Sequence, residues 1–356
     1  MSWAEKNQSP SSSSPITSLP EDIVVDILAR VPRRDYPRVS LVSKHFRSLV
    51  SSREIYARRS SLGCTEHCIY LVLFDSDNGH NRLYTFRRKE KDKDSPCLVL
   101  IPGLPDMPRG GSYVAVGSRI YVFCEINSFF IDCTSHTVQH LPRMPVPMSN
   151  TAADVICGRI YVIGCISSKS KAMVVFDTQT QTWVTMPGME LYDNDVDAYT
   201  SLVVMGGKLY ARGFQDNFAY DPKESKRETD EVVSLNYWDD ENACVVDDVL
   251  YFYDWSGKLR AYDPERKCWV VVKGLDDLSA WTRRVGCFLG VTTSNYAGKL
   301  VLFFRSREII GEICCAEISL ERRKGCQIWG RIDQWWCDHA SIAPIFYITK
   351  SLDVVL

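Results

Sequence analysis

The 356-residue sequence holds no run of about 18 apolar residues, the length a helix needs to cross a bilayer. It also lacks a surplus of charge: 42 Lys and Arg stand against 44 Asp and Glu, a net of −2. That balance argues against a generic binder of nucleic acid or other polyanions. Neither common Gly-rich phosphate loop occurs, nor a G-x-S-x-G nucleophile elbow. The opening residues, Met1 to Ser18, have no apolar core of the kind a secretory signal carries. Cysteine is plentiful, at 14 residues, but has no regular framework and no C-x-x-C pair. Cys124, Cys133, Cys157, Cys165, Cys244, Cys287 and Cys314 sit inside apolar runs, where cysteine behaves as a small hydrophobe. A reducing cytoplasmic or nuclear compartment without structural disulfides is expected. Cys64, His67 and Cys68 form too sparse a set for a four-ligand zinc site, as do Cys337 and His339. No catalytic residue, cofactor or metal is therefore expected.

What is present divides into stretches. Hydrophobic residues make up 45% and charged residues 24%, ordinary for a globular chain. Residues 1–17 read as a disordered Ser/Pro-rich tail. From Ser18 the spacing turns helical. Ser18-Leu19-Pro20-Glu21 fits a capping box, and Ile23, Val24, Ile27, Leu28 and Val31 follow as one stripe. Pro32 stops that helix, and Asp35-Tyr36-Pro37 is a second start, with Asp35 as cap. Leu41, Val42, Phe46, Leu49 and Val50 make another stripe. About 40 residues of short helices bury little core alone, so several of these side chains should face a partner.

Beyond Cys68, short β-rich runs alternate with turn residues, and one phrase recurs. Gly-Ser-Arg-Ile120-Tyr121, Gly-Arg-Ile160-Tyr161 and Gly-Lys-Leu209-Tyr210 are its clearest copies, with tyrosine-equivalent positions at 70, 121, 161, 210, 251 and 301. Their separations are 51, 40, 49, 41 and 50 residues. An aromatic-acid-turn phrase follows, as in Phe176-Asp177, Tyr220-Asp221-Pro222 and Tyr262-Asp263-Pro264. Trp183, Trp269 and Trp329 come next, placed to pack between units. A period of 40–50 residues with four short strands per unit predicts a β-propeller of about six four-stranded blades. The first blade begins at its second strand, Ile69 to Phe74. The ring then needs an inner strand from elsewhere, and the apolar run Ala340 to Ile348 is the candidate.

The propeller pattern resembles the kelch repeat, with the double glycine intact only at Gly206-Gly207. The helical segment, LPEDIVVDILARVP followed by LVSKHFRSL, resembles an F-box, with Phe46 where many have Trp. Arg59 to Glu66 is similar to the linker of plant F-box/kelch-repeat proteins. The resemblance implies a small all-α F-box at 18–60, a linker at 61–67 and an all-β kelch propeller at 68–356. It also implies a non-catalytic receptor of an SCF-type (Skp-cullin-F-box) ubiquitin ligase: the F-box docks on a Skp-type adaptor, and through it on cullin, while the propeller holds an unknown target protein. Adaptor contacts would be Leu19, Pro20, Ile23, Val24, Ile27, Leu28, Leu41, Val42 and Phe46. Residues 19–60 hold nine Lys and Arg against five Asp and Glu, favouring an acidic partner. A propeller enzyme or small-molecule sensor, and a kelch scaffold with a non-functional F-box, are the alternatives. The Leu-Pro and Leu-Val-Ser-Lys elements count against both, and neither nucleic acid nor membrane is expected as a partner.

In a four-stranded meander, the loops between second and third strands share a face with the blade-to-blade connections. The long connections carry Tyr192, Tyr199, Tyr237, Trp238 and Trp281, residue types favoured at binding hot spots. They also carry Asp106, Glu190, Asp193, Asp195, Asp197, Asp239, Asp240, Glu241, Asp276 and Asp277. The expectation is a target site at Tyr192, Tyr237, Trp238, Asp239, Asp240 and Trp281, with an acidic rim that suits a basic segment. The plainer alternative has the acids as turn residues and the tryptophans packed between blades.

Overall fold

A computed structural model describes residues 19–76, 78–88, 96–125, 127–167, 170–184, 190–192, 201–213, 217–229, 238, 243–264, 266–284, 291–305, 312–324, 327–339 and 346–356. The chain divides into two compact units, one running to Glu66 and including Leu356, the other spanning His67–Val355.

The first unit has four helices, α1 (Glu21–Arg30), α2 (Tyr36–Val42), α3 (Lys44–Val50) and α4 (Arg53–Ser61), with a 3-10 turn at Arg33–Asp35. Their starts differ from the sequence expectation. Pro20 is the N-cap of α1 and no side chain caps it. Asp35 does occupy the N-cap of α2, but its carboxylate makes no capping bond. Side-chain caps stand instead at the starts of α3 and α4, on Ser43 and Ser52. Ser43 Oγ accepts from the Phe46 amide at 3.0 Å, and Ser52 Oγ from the Ile55 amide at 3.3 Å; each such cap contributes about 1 kcal/mol.

Val24, Val25, Leu28 and Ala29 on α1 meet Tyr36, Phe46, Leu49, Val50 and Ile55 in one small core. Arg59 of α4 is buried beside it. Its Nη1 donates to the carbonyls of Ala29 (3.0 Å) and Val31 (2.8 Å) and to the Tyr36 hydroxyl (3.2 Å), and its Nη2 to Glu66 Oε1 (2.6 Å). A guanidinium here satisfies carbonyls left without helical partners at the end of α1, and its charge suits that end of the dipole. Arg58 pairs with Asp26 and ties α4 to α1 from outside.

The second unit is a six-bladed propeller of four-stranded antiparallel sheets. Blade 1 contains β1 (His67–Asp75), β2 (His80–Arg88) and β3 (Pro96–Leu100). Blade 2 is β4 (Ser112–Val116), β5 (Arg119–Cys124), β6 (Asn127–Asp132) and β7 (Thr137–His140). Blade 3 is β8 (Ser149–Ile156), β9 (Arg159–Ser167), β10 (Ser170–Asp177) and β11 (Thr182–Val184), with β12 (Glu190–Tyr192) also pairing with β10. Blade 4 is β13 (Ser201–Met205), β14 (Lys208–Arg212), β15 (Asn217–Asp221) and β16 (Lys226–Glu228). Blade 5 is β17 (Ala243–Val246), β18 (Val249–Tyr253), β19 (Leu259–Asp263) and β20 (Cys268–Val271), followed by helix α5 (Asp276–Arg284). Blade 6 is β21 (Thr292–Tyr296), β22 (Lys299–Arg305), β23 (Glu312–Arg323) and β24 (Gln327–His339). The final strand, β25 (Phe346–Val355), returns to pair with β1 as the inner strand of blade 1.

The inner strands β25, β4, β8, β13, β17 and β21 lie side by side and close a ring. The closing strand starts later and runs further than the apolar run at Ala340 to Ile348 suggests. One register shift, where Leu73 faces Ile348 but Val72 faces Lys350, leaves Thr349 as the extra residue of a bulge. The shift keeps Phe346 and Ile348 and then Leu352 and Val354 buried.

All six tyrosine-equivalent positions fall on second strands, and each aromatic-acid phrase on a third. Four hairpins between first and second strands place positive φ at both central residues: Cys157-Gly158, Gly206-Gly207, Asp247-Asp248 and Ala297-Gly298. That is the type I′ turn matched to strand twist. After the third strands, Asp177 Oδ1 accepts from the Gln179 (2.9 Å) and Thr180 (3.1 Å) amides, and Asp221 Oδ1 from the Lys223 amide (2.9 Å).

Strands buried on both faces supply the cores between blades. Cys314 and Cys315 illustrate this, one packing in the core between blades 5 and 6 and the other between blades 6 and 1. The expectation of no disulfide is corrected at Cys314, which is disulfide-bonded.

Candidate functional site

Helix α1 is apolar on two faces. Val24, Val25, Leu28 and Ala29 turn inward, whereas Leu19, Ile23 and Ile27, four residues apart, line up outside at 40–42% exposure. On α2, Leu41 and Val42 are 78% and 67% exposed, and Pro20 is also exposed. Ten large apolar side chains are exposed among the described residues, and five of them are these. A concentration of this kind marks an interaction surface. Val24, Leu28 and Phe46, read from sequence as adaptor contacts, are instead part of the unit's own core. Phe46 is 7% exposed and plugs that core.

The second candidate surface is the propeller face that carries the second-to-third-strand loops and the blade-to-blade connections. Two of its expected anchors point elsewhere. Trp238 is fully buried between blades 4 and 5, with the Arg212 guanidinium 6.0 Å from its ring centroid. Trp281, on α5, packs edge-on against Trp335 at 4.3 Å and Phe304 at 5.8 Å in the core between blades 5 and 6. For these two the plainer alternative holds: large rings fill the space between diverging sheets. Tyr192 ends β12 opposite Ser170, while Tyr237, Asp239 and Asp240 lie outside the described residues.

The acids of this face that are described have local roles. Asp106 sits 2.9 Å from His80 Nδ1 and 3.8 Å from Arg82 Nε. Asp276 and Asp277 occupy the first turn of α5, where the dipole favours them.

Sequence reasoning passed over Trp255, which is 69% exposed in the loop between β18 and β19. Asp254 Oδ1 accepts from the Ser256 amide (2.9 Å), the Ser256 hydroxyl (2.6 Å) and the Lys258 amide (3.0 Å), and Gly257 supplies a positive φ. Asp254 is held below the usual carboxylate range although burial pushes it up, because Ser256, Arg260 and the Lys258 amide all donate to it. The signal was legible as Asp-x-Ser-Gly, a side-chain-capped turn holding a tryptophan aloft.

Family models match both units: the F-box domain at residues 16–58, and the FKB95, Kelch-repeats domain at residues 80–341. The chain belongs to the F-box/kelch-repeat family. An F-box/kelch-repeat protein of Arabidopsis thaliana is 42% identical, covering 99% of this chain and 98% of its own. A second from the same plant is 37% identical, covering 91% and 87%. The exposed apolar stripe is thus the outer face of the F-box, and the Trp255 loop belongs to the kelch propeller. Among the described residues of both units, no group of three or more His, Cys, Asp or Glu is placed to hold a metal ion. No described helix is long and apolar enough to cross a membrane.

Proposed function

We propose that the protein is the non-catalytic substrate-recognition subunit of an SCF-type ubiquitin ligase, working in the cytoplasm or nucleus. The F-box docks on a Skp-type adaptor, which joins it to cullin, and the kelch propeller binds the protein to be ubiquitinated. The observation that carries this reading is the apolar outer face of a unit whose core is already complete. Leu19, Pro20, Ile23, Ile27, Leu41 and Val42 lie outside that core and are exposed, and a partner groove would account for their apolar character. Val24, Leu28 and Phe46 support that face from behind.

Burying an exposed Leu or Val contributes roughly 1.5–3 kcal/mol, and about 1.4 kcal/mol is tenfold in affinity. The double variant Leu41→Asp, Val42→Asp should therefore lower adaptor affinity by about a hundredfold or more while the thermal melt stays unchanged. Co-purification of a plant Skp-type adaptor with the full chain measures this, and full recovery of adaptor by the variant would refute the proposal.

A further inference from the structure

The opposite face of the propeller carries the turns between first and second strands and between third and fourth strands. There a small notch lies between the outer strands of blades 5 and 6. Its floor is apolar: Ile328 is buried, and Val270 and Cys268 are half-buried. Its rim is cationic. Arg266 comes from the turn between β19 and β20, and Arg322 and Arg323 from the end of β23, and all three are exposed. Among the described residues that line the notch, Asp263 is the one carboxylate.

The two arginines of blade 6 keep bonding capacity. Arg322 Nη2 donates across the blade boundary to the Asp247 carbonyl at 2.6 Å. That bond uses one of five N–H groups, and a carbonyl orients a guanidinium without cancelling its charge. The Arg323 guanidinium lies 4.5 Å from the Trp329 ring centroid, and its Nη2 donates to Glu321 at 2.8 Å. Glu321 and Arg323 are both exposed, and a pair so open to water is weak enough to yield to a stronger acceptor. Asp263 is turned in part to its own backbone, with Oδ1 accepting from the Arg266 amide at 3.4 Å.

Stapling one blade to the next accounts for Arg322. It does not account for three guanidiniums around one notch, since like charges brought together repel, and more strongly beside an apolar floor than in open water. An anion seated among them removes that cost. We infer that the notch binds a phosphate group. Guanidiniums match phosphate oxygens with paired N–H bonds, which a lysine cannot offer. The enclosed part of the notch has room for about one water-sized group. A single phosphate oxygen fits that space and leaves the others among the rim guanidiniums. The same chemistry is presented by a phosphorylated side chain of a protein and by a free phosphate compound. The inference goes beyond the ligase reading and does not depend on it.

The test is isothermal titration calorimetry on the full-length chain without adaptor, at constant ionic strength. The two probes are inorganic phosphate and a capped Gly-phosphoserine-Gly peptide, with the unphosphorylated peptide as control. Both probes should saturate one site, and the control should not bind. Arg322→Gln should weaken each probe about tenfold, and Arg322→Lys, which keeps the charge, should lose less. Arg323→Gln, whose described contacts stay within its own hairpin, should also cost about tenfold and keeps the test standing if Arg322→Gln lowers the melt. A peptide bound at least tenfold more tightly than inorganic phosphate assigns the site to phosphorylated proteins, and one bound no more tightly assigns it to free phosphate compounds. No saturable binding of either probe, equal binding of the control, or affinity that all the variants leave unchanged would each overturn the inference. Adaptor capture by the same preparation is scored separately, and its failure would touch the ligase reading alone.

Discussion

Arg59 shows how much one side chain can decide. Four acceptors depend on its two terminal nitrogens: two carbonyls at the end of α1, the Tyr36 hydroxyl and Glu66. Arg59→Met keeps the volume and removes every one of those bonds. Losing charge-assisted bonds at a buried site should destabilise the F-box by about 3 kcal/mol. Hydrogen exchange on the full chain checks this: amides of α1 and α4 should lose protection while the propeller strands keep theirs. Uniform protection in the variant would show that Arg59 is dispensable. Nothing in its neighbourhood in sequence announced this role, because RRSS reads as a solvated helix end. Ile23, Val24, Ile27 and Leu28 were legible as apolar, but not as two opposed faces. Facing is set by what packs behind a helix, and only the arrival of Phe46, Leu49 and Ile55 selects Val24 and Leu28 for the core.

Among elements, the recurring turn after the third strand links the fold to pH. The Thr180 and Gln179 amides hold the Asp177 carboxyl below its ordinary value of 3.8. The Lys223 amide does the same for Asp221, against a smaller upward push from burial. A carboxyl with a lowered folded pKa adds stability that is complete above the unfolded value, near pH 4, and is lost as pH falls through the folded one. Melting temperature should therefore fall on acidification below about pH 4. In the double variant Asp177→Asn, Asp221→Asn that acid limb should be shallower than in the parent. Identical limbs would move the acid sensitivity elsewhere. These turns were readable from Asp-Thr and Asp-Pro alone, since the hydrogen bonds are local. Hairpin turns with Gly were equally readable. Asp247-Asp248 was not, because a positive φ at two consecutive aspartates is imposed by the strands on either side. Trp238 and Trp281 were misjudged for the same kind of reason: loop position in sequence does not say whether a ring turns outward or into the wedge between two sheets.

At the scale of the whole molecule, the period of 40–51 residues carried the blade count, and the missing inner strand of blade 1 carried the ring closure. The span of that strand escaped notice because Lys350, Ser351 and Asp353 interrupt its apolar pattern, and the bulge at Thr349 shifts the period. Deleting residues 346–356 removes the inner strand of blade 1 and bares the edge of β1, together with the side of β21 that β25 covers. Such edges recruit other chains. Size-exclusion chromatography should then find aggregates in place of monomer, and a monomeric, cooperatively melting product would show that closure is not needed.

The pairing of His67–Asp75 with Phe346–Val355 also sets a timetable for synthesis. A ribosome adding 5–20 residues per second needs roughly 15–60 s to travel from the first of these strands to the last. Throughout that interval the F-box has already emerged and can fold on its own core, while the first blade waits with an open side. A nascent chain can thus present the apolar outer face of its F-box well before its propeller closes, and a chain cut short by a premature stop would keep that face while leaving the first blade open. Until β25 arrives, β1 stands as an open edge of the kind that recruits other chains.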